Sequence, residues 1–214
     1  MSNVRQDANS WTHIDWTLNG VTPDMIDWHW SNMEKTFILW HPQDHRGFRW
    51  YIPPTKDKFL GCVHLTLQGP RRPGESLDKI DFGLVYYDVA KLPKAMADVI
   101  IYDHVCLVGG AKLNQLEGPV ESYRIHQWQA SDNGVIGMSS AISPNPKDIN
   151  QEKERLMNWT KHAIGEVGNW EVFLSDIYRR WQAVKDPDIN IFHSLKVKKT
   201  ATGAKYVNVS TMEI

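Results

Sequence analysis

Residues 148–184 carry an apolar period of 3.6, and that period dictates what the rest of the chain must supply. Apolar side chains recur at Leu156, Trp159, Ala163, Val167, Trp170, Phe173, Leu174, Ile177, Tyr178 and Trp181, which places them on one face of a long helix. A helix of that length cannot cover its own stripe, so another layer must lie against it. His162 and Glu166 sit four residues apart, inside or beside the stripe. An imidazole and a carboxylate that converge on a buried side can hold a divalent metal. At the rim of a core the same pair would be a plain helix contact of roughly 0.2–0.5 kcal/mol.

The covering layer is read from the middle of the chain. Cys62–Gln68 alternates, with Val63, Leu65 and Leu67 on one face. Ser76–Tyr87 and Val99–Val108 read as further strands, the latter broken by Gly109 and Gly110. Ser122–Ala130 and Val135–Ile142 form the clearest hairpin, turned at Asp132-Asn133-Gly134. Upstream, residues 1–19 read as extended. Thr22, Pro23 and Asp24 open a helix over 23–33, as a cap, a first-turn proline and an acid at the positive end. Phe37–Trp40 reads as a short strand, 46–60 as loop, and 88–98 as a short helix. After Pro187, Phe192–Met212 resembles a hairpin around Thr202-Gly203-Ala204. The expectation is a single domain over 1–214 of the α+β class, antiparallel strands with one long helix.

Charge and composition remove several function classes. Lys and Arg number 24 against 25 Asp and Glu, with no long basic run, so nothing supports nucleic-acid binding. No apolar stretch approaches the ~20 residues of a membrane span. The first residues lack a signal-peptide apolar region. With only Cys62 and Cys106, no disulfide framework is expected, and a cytoplasmic protein follows as the default. Ten Trp are the unusual feature of the composition. Most are expected in the core and a few against a flat ligand.

Four motifs then recur in order: Gly20-Val-Thr-Pro-Asp-Met-Ile-Asp-Trp28, Leu39-Trp-His-Pro-Gln-Asp-His45, Gly61-Cys-Val-His64, and His162-Ala-Ile-Gly-Glu166-Val-Gly-Asn169 with Phe173, Leu174 and Tyr178. Over about residues 20–181 the chain resembles the 2,4-diacetylphloroglucinol hydrolase family, which includes phloretin hydrolases. The family's further N-terminal helical region is missing here, and a tail over 188–214 is added. The resemblance implies a helix-grip, Bet v 1-like fold, a curved antiparallel sheet around the C-terminal helix. It also implies zinc-dependent cleavage of the carbon–carbon bond between an acyl group and a phenol ring, with the metal held by two His and two Glu. Carried over by motif, the ligands are His45, His162 and Glu166, and the remaining Glu is replaced by Gln68. Gln68 is neutral and a weaker ligand; Glu75 and His64 are the alternatives. A substrate-touching tyrosine of the family is matched by Phe37, and a pocket histidine by His126, the catalytic candidate. A second pocket tyrosine has no clear match, although Ser139 and Ser140 lie nearby.

Three functions follow. The first is a metal-dependent hydrolase of C-acylated phenols, with zinc at His45, Gln68, His162 and Glu166 and the ring held by Phe37, Trp28, Trp128 and Trp159. The second is a cyclase or isomerase of natural-product biosynthesis, using the same pocket with little or no metal. Gln68 and Phe37 motivate it, since both lack groups that the hydrolytic chemistry uses. A third is a carrier of an aromatic metabolite. In each, the partner is a small aromatic or polyketide-like molecule; a homodimer is compatible with these features and not specified by them. His29 reads as structural or pocket-lining, and His41 as a lesser candidate.

Overall fold

The computed structural model describes residues 2–118, 120, 122–143, 149–184 and 192–207, with side chains in the long helix described from Asn158 onward. Strands β1 (Ser2–Gln6) and β2 (Thr12–Asn19) lead into helices α1 (Pro23–Ser31) and α2 (Met33–Trp40). Strands β3 (His45–Ile52), β4 (Val63–Gln68) and β5 (Phe82–Tyr86) follow, then α3 (Lys94–Ala97). Strand β6 (His104–Lys112) precedes the hairpin β7 (Tyr123–Ser131) and β8 (Gly134–Ile142). Helix α4 (Ile149–Val184) and the small hairpin β9 (Val197–Thr200) and β10 (Gly203–Tyr206) complete the described elements.

Local chemistry accounts for the boundaries. Thr22 caps α1 through Oγ1, which accepts from the Met25 N–H at 3.4 Å, and Pro23 occupies the first turn. Helix α2 corrects the strand expected at Phe37–Trp40. Met33, Thr36, Phe37 and Trp40 are buried while Ile38 and Leu39 are exposed, which is a helical period and not a strand's. Strand β3 corrects the loop expected over 46–60. Its pairing with β4 shifts register between His45 and Gly47 and again between Trp50 and Ile52, and such bulges erase the period-2 signal. Strand β6 runs on through Gly109 and Gly110 where a break was expected. A side chain at Gly110 would meet the Phe82 ring at 2.1 Å, so the glycine makes room for a neighbour instead of ending the strand.

The helix-grip expectation is overturned. Eight strands form one antiparallel sheet in the order β1-β2-β8-β7-β6-β5-β4-β3. Helix α4 lies over one part of it, on β2 and β8, while α1 lies against β6 and β7 and α2 against β3. Three helices therefore share the inner face, and a curved sheet wrapped around a single helix is not what the structure presents. The physical reason lies in the indoles of α1 and α2. Trp28, Trp30 and Trp40 are as deeply buried as Trp170 of α4, and together they need a broad apolar layer. The opposite face of the sheet is covered near Val105, Leu107 and Ile125 by α3 and the β9–β10 hairpin, through Met96, Ala97, Val197 and Ala204. No helix among the described residues is long and apolar enough to cross a membrane.

Candidate active site

Three elements bring the sequence-predicted ligands together. His45 starts β3 and sits opposite Gln68 at the end of β4. His162 and Glu166 are one turn apart on α4. His45 Nε2 lies 3.2 Å from His162 Nε2 and 3.2 Å from Glu166 Oε1. His162 Nε2 lies 2.9 Å from the same oxygen. Gln68 Nε2 stands 3.4 Å from His45 Nε2; a half-turn of the amide would present its carbonyl oxygen instead.

The outer nitrogens decide what this cluster can hold. His45 Nδ1 lies 2.6 Å from the Phe37 carbonyl. That carbonyl belongs to the last turn of α2, where helix C=O groups lack a partner in the helix, so it accepts the Nδ1 proton. His162 Nδ1 lies 2.7 Å from Asp44 Oδ2, and a carboxylate likewise accepts. With both Nδ1 atoms donating outward, both neutral rings turn an Nε2 lone pair inward, towards a carboxylate oxygen. Three acceptors facing one another need a cation or a shared proton. Imidazoles oriented by a carbonyl and a carboxylate are the usual support for a divalent metal. The residues present therefore fit zinc, with Gln68 as a neutral fourth donor.

Burial sharpens the electrostatics. Burial would raise the Glu166 carboxyl, but His162 and His45 outweigh it and hold the group well below the usual carboxylate range. Burial alone would lower His162, but Glu166 and Asp44 reverse this and raise it. His41 stacks on the His162 ring at 4.6 Å with planes 5° apart, and its own pKa is lowered, chiefly by burial.

Beside the cluster lies a cavity of about 270 Å³. Its wall includes Trp30, Phe37, Trp40, His64, Gln68, His126, Trp159, His162 and Glu166, with Phe82 and Arg124 also on it. The Phe37 ring lies flat on His45, 3.8 Å away with planes 3° apart, and brings no hydroxyl to the wall. His126 is buried on β7, and its Nδ1 is 3.0 Å from Ser139 Oγ. Burial, opposed by Glu166 and aided by Arg124 and His162, lowers its pKa to about 4. The Arg124 guanidinium lies over the Trp159 ring at 5.1 Å.

Among the residues expected to touch substrate, Phe37 and Trp159 line the cavity, whereas Trp28 and Trp128 are not on its wall. Trp28 packs on Tyr178 and Trp181 at 5.7 and 5.5 Å, and Trp128 stacks towards His104. Trp30 and Trp40 take their place. Composition could not separate Trp28 from Trp30, because two residues along a helix are about 200° apart and face different neighbours. Asp44 is the functional residue that motif reading misses; its signal in the sequence is its position directly before the candidate ligand His45. Glu75 is drawn off by Arg46 at 2.7 Å and does not join the cluster. His64 is buried on the cavity wall, and burial lowers its pKa to about 3.

No protein-family model matches the chain. No curated protein matches it either. Among solved structures it is similar to the crystal structure of protein Ms6760 from Mycobacterium smegmatis, with a TM-score of 0.52 and 12% identity. The likeness covers 81% of this chain and 96% of that one, and it is a likeness of fold.

Proposed function

We propose that this chain is a cytoplasmic, metal-dependent hydrolase that cleaves the carbon–carbon bond between an acyl group and a phenolic or related ring. The observation that carries the reading is the inward convergence of His45 Nε2, His162 Nε2 and Glu166 Oε1, with both outer imidazole nitrogens committed to acceptors. Those residues, with Gln68, would hold zinc, which when bound supplies Lewis-acid polarisation of an acyl carbonyl. The remaining work falls to the chain's own side chains. Trp30, Trp40 and Trp159 offer ring faces and exclude water from a flat substrate. His126 faces the same space and can hydrogen-bond a ring oxygen. Net hydrolysis places a hydroxyl on the acyl carbon and a hydrogen on the ring carbon.

A second reading, a cyclase or isomerase, is favoured by one feature: the wall carries neutral Gln68 and the hydroxyl-free ring of Phe37. Catalysis would then come from holding reacting carbons in a near-attack arrangement. The two are separated by offering acylphloroglucinols to the zinc-supplied protein, with and without a chelator, and weighing the products by mass spectrometry. A water-adding, chelator-sensitive reaction is expected. An isomeric product formed at an unchanged rate with chelator present would overturn the hydrolase reading.

A further inference from the structure

Three adjacent strands set up a relay behind the cavity wall. His126 on β7 lies directly across from Ser139 on β8, and on the far side of Ser139 runs β2 with Trp16. Trp16 Nε1 is 3.0 Å from Ser139 Oγ, and Ser139 Oγ is 3.0 Å from His126 Nδ1. All three residues are buried, Ser139 completely. The indole reaches this far because it lies over Gly137, its cross-strand partner; a Cβ at Gly137 would meet the Trp16 ring at 2.2 Å.

The directions of these two hydrogen bonds are not free. An indole N–H only donates, so Ser139 Oγ is the acceptor from Trp16. The serine's own proton then needs an acceptor. His126 Nδ1 is its partner at hydrogen-bond distance, and the alternative leaves a fully buried hydroxyl donor unused. His126 Nδ1 is therefore the lone-pair nitrogen. A neutral imidazole has one N–H, so it sits on Nε2. Nε2 has no hydrogen-bond partner among the described residues, and His126 stands on the cavity wall.

We infer that Ser139, oriented by Trp16, is a positioning residue that fixes His126 as the Nε2–H tautomer, so that a neutral imidazole presents a donor to the cavity. His126 then acts by hydrogen-bonding a ring oxygen of the substrate, not by delivering a proton as an imidazolium. The depressed pKa of His126 agrees with this, since the ring stays neutral at ordinary pH. The catalytic meaning of the tautomer rests on the hydrolase reading; the tautomer itself does not.

The test reads the tautomer without any substrate. Full-length protein labelled with ¹⁵N in histidine is studied by long-range ¹H–¹⁵N correlation at neutral pH, with His126→Gln to assign the signal. The wild type is expected to show a protonated-type Nε2 and an unprotonated-type Nδ1. In Ser139→Ala the two shifts should move towards each other as the tautomers mix. Trp16→Phe should do the same, because Ser139 can then donate elsewhere or accept. Ser139→Thr keeps the hydroxyl and should keep the wild-type pattern, which separates loss of the relay from general damage. An Nδ1–H tautomer or an imidazolium in the wild type overturns the inference. So does a wild-type pattern in folded Ser139→Ala. If the tautomer is as stated but acylphloroglucinols are not hydrolysed, the relay stands and the hydrolase reading fails.

Discussion

Asp44 and Gln68 are the residues at which the candidate metal centre can be tested without a substrate. Asp44 is only partly exposed and accepts from His162 Nδ1 at 2.7 Å. Its removal by Asp44→Ala frees that nitrogen to hold either tautomer, so zinc affinity should fall by about 10–100-fold, the usual cost of losing an orienting partner. Competition against a chromophoric chelator measures this; an affinity within twofold of wild type would remove Asp44 from the centre. Gln68→Glu makes the opposite prediction. It adds a negative charge 3.4 Å from His45 Nε2, measured at the amide it replaces, and zinc should bind more tightly. Equal affinities in the two proteins would mean that Gln68 faces the site without ligating. The convergence itself was legible: ordered motifs marked His45, His162 and Glu166, and the fold brings them together. The orientation of each ring was not, because Nδ1 of His45 is set by a helix-end carbonyl at Phe37, and that helix was read as a strand.

The same lesson recurs among the elements. Four apolar residues in a row at Phe37–Trp40 suggested a strand, yet Met33, Thr36, Phe37 and Trp40 already held the helical spacing. What stabilises α2 is tertiary: Asn169 on α4 donates to the Trp40 carbonyl at 3.0 Å, answering another unpartnered group at the helix end. Strand β3 is not legible in the sequence because its bulges break the alternation, and one of them falls beside His45. The β7–β8 hairpin was readable because it has a regular register and a two-residue turn at Asp132-Asn133. Its glycine carries a prediction of its own. A Cβ at Gly137 would lie 2.2 Å from the Trp16 ring and 2.5 Å from the Gln127 carbonyl, neither of which can retreat inside a packed sheet. Gly137→Ala should therefore cost about 1–3 kcal/mol in urea unfolding, the range for overpacking. A change below about 0.5 kcal/mol, the scale of a neutral surface substitution, would show that Trp16 is free to move.

At the scale of the molecule, the helical layer commits the fold to burying neutral histidines. His29 lies among Trp30, Trp40 and Trp170, with ring centroids 5.5, 4.9 and 5.5 Å away, and neither of its nitrogens has a hydrogen-bond partner. Burial lowers its pKa from 6.5 to about 3. His64 is likewise lowered to about 3, chiefly by burial, and His126 to about 4. Each is a group whose folded pKa lies below its unfolded one. Its contribution to stability is fully present above the unfolded value near 6.5 and is lost as pH falls towards the folded value. His162, raised in the fold, has the opposite sign: its stabilisation is present below its unfolded pKa and lost as pH rises through the folded one. The three buried rings outnumber it. At the steepest, three protons taken up on unfolding correspond to roughly 4 kcal/mol per pH unit. By pH 5 the three rings should remove roughly 6 kcal/mol, enough to unfold a domain at the low end of the usual range of about 5–15 kcal/mol before these rings titrate in place. Denaturant titrations of the metal-free protein between neutral pH and pH 5 would measure the slope. His29→Phe fits an aromatic surround and removes one of the protons, so the slope should fall by about 1.4 kcal/mol per pH unit. An unchanged slope in that variant would mean that His29 is already protonated within the fold, and that the aromatic layer around it is open to water.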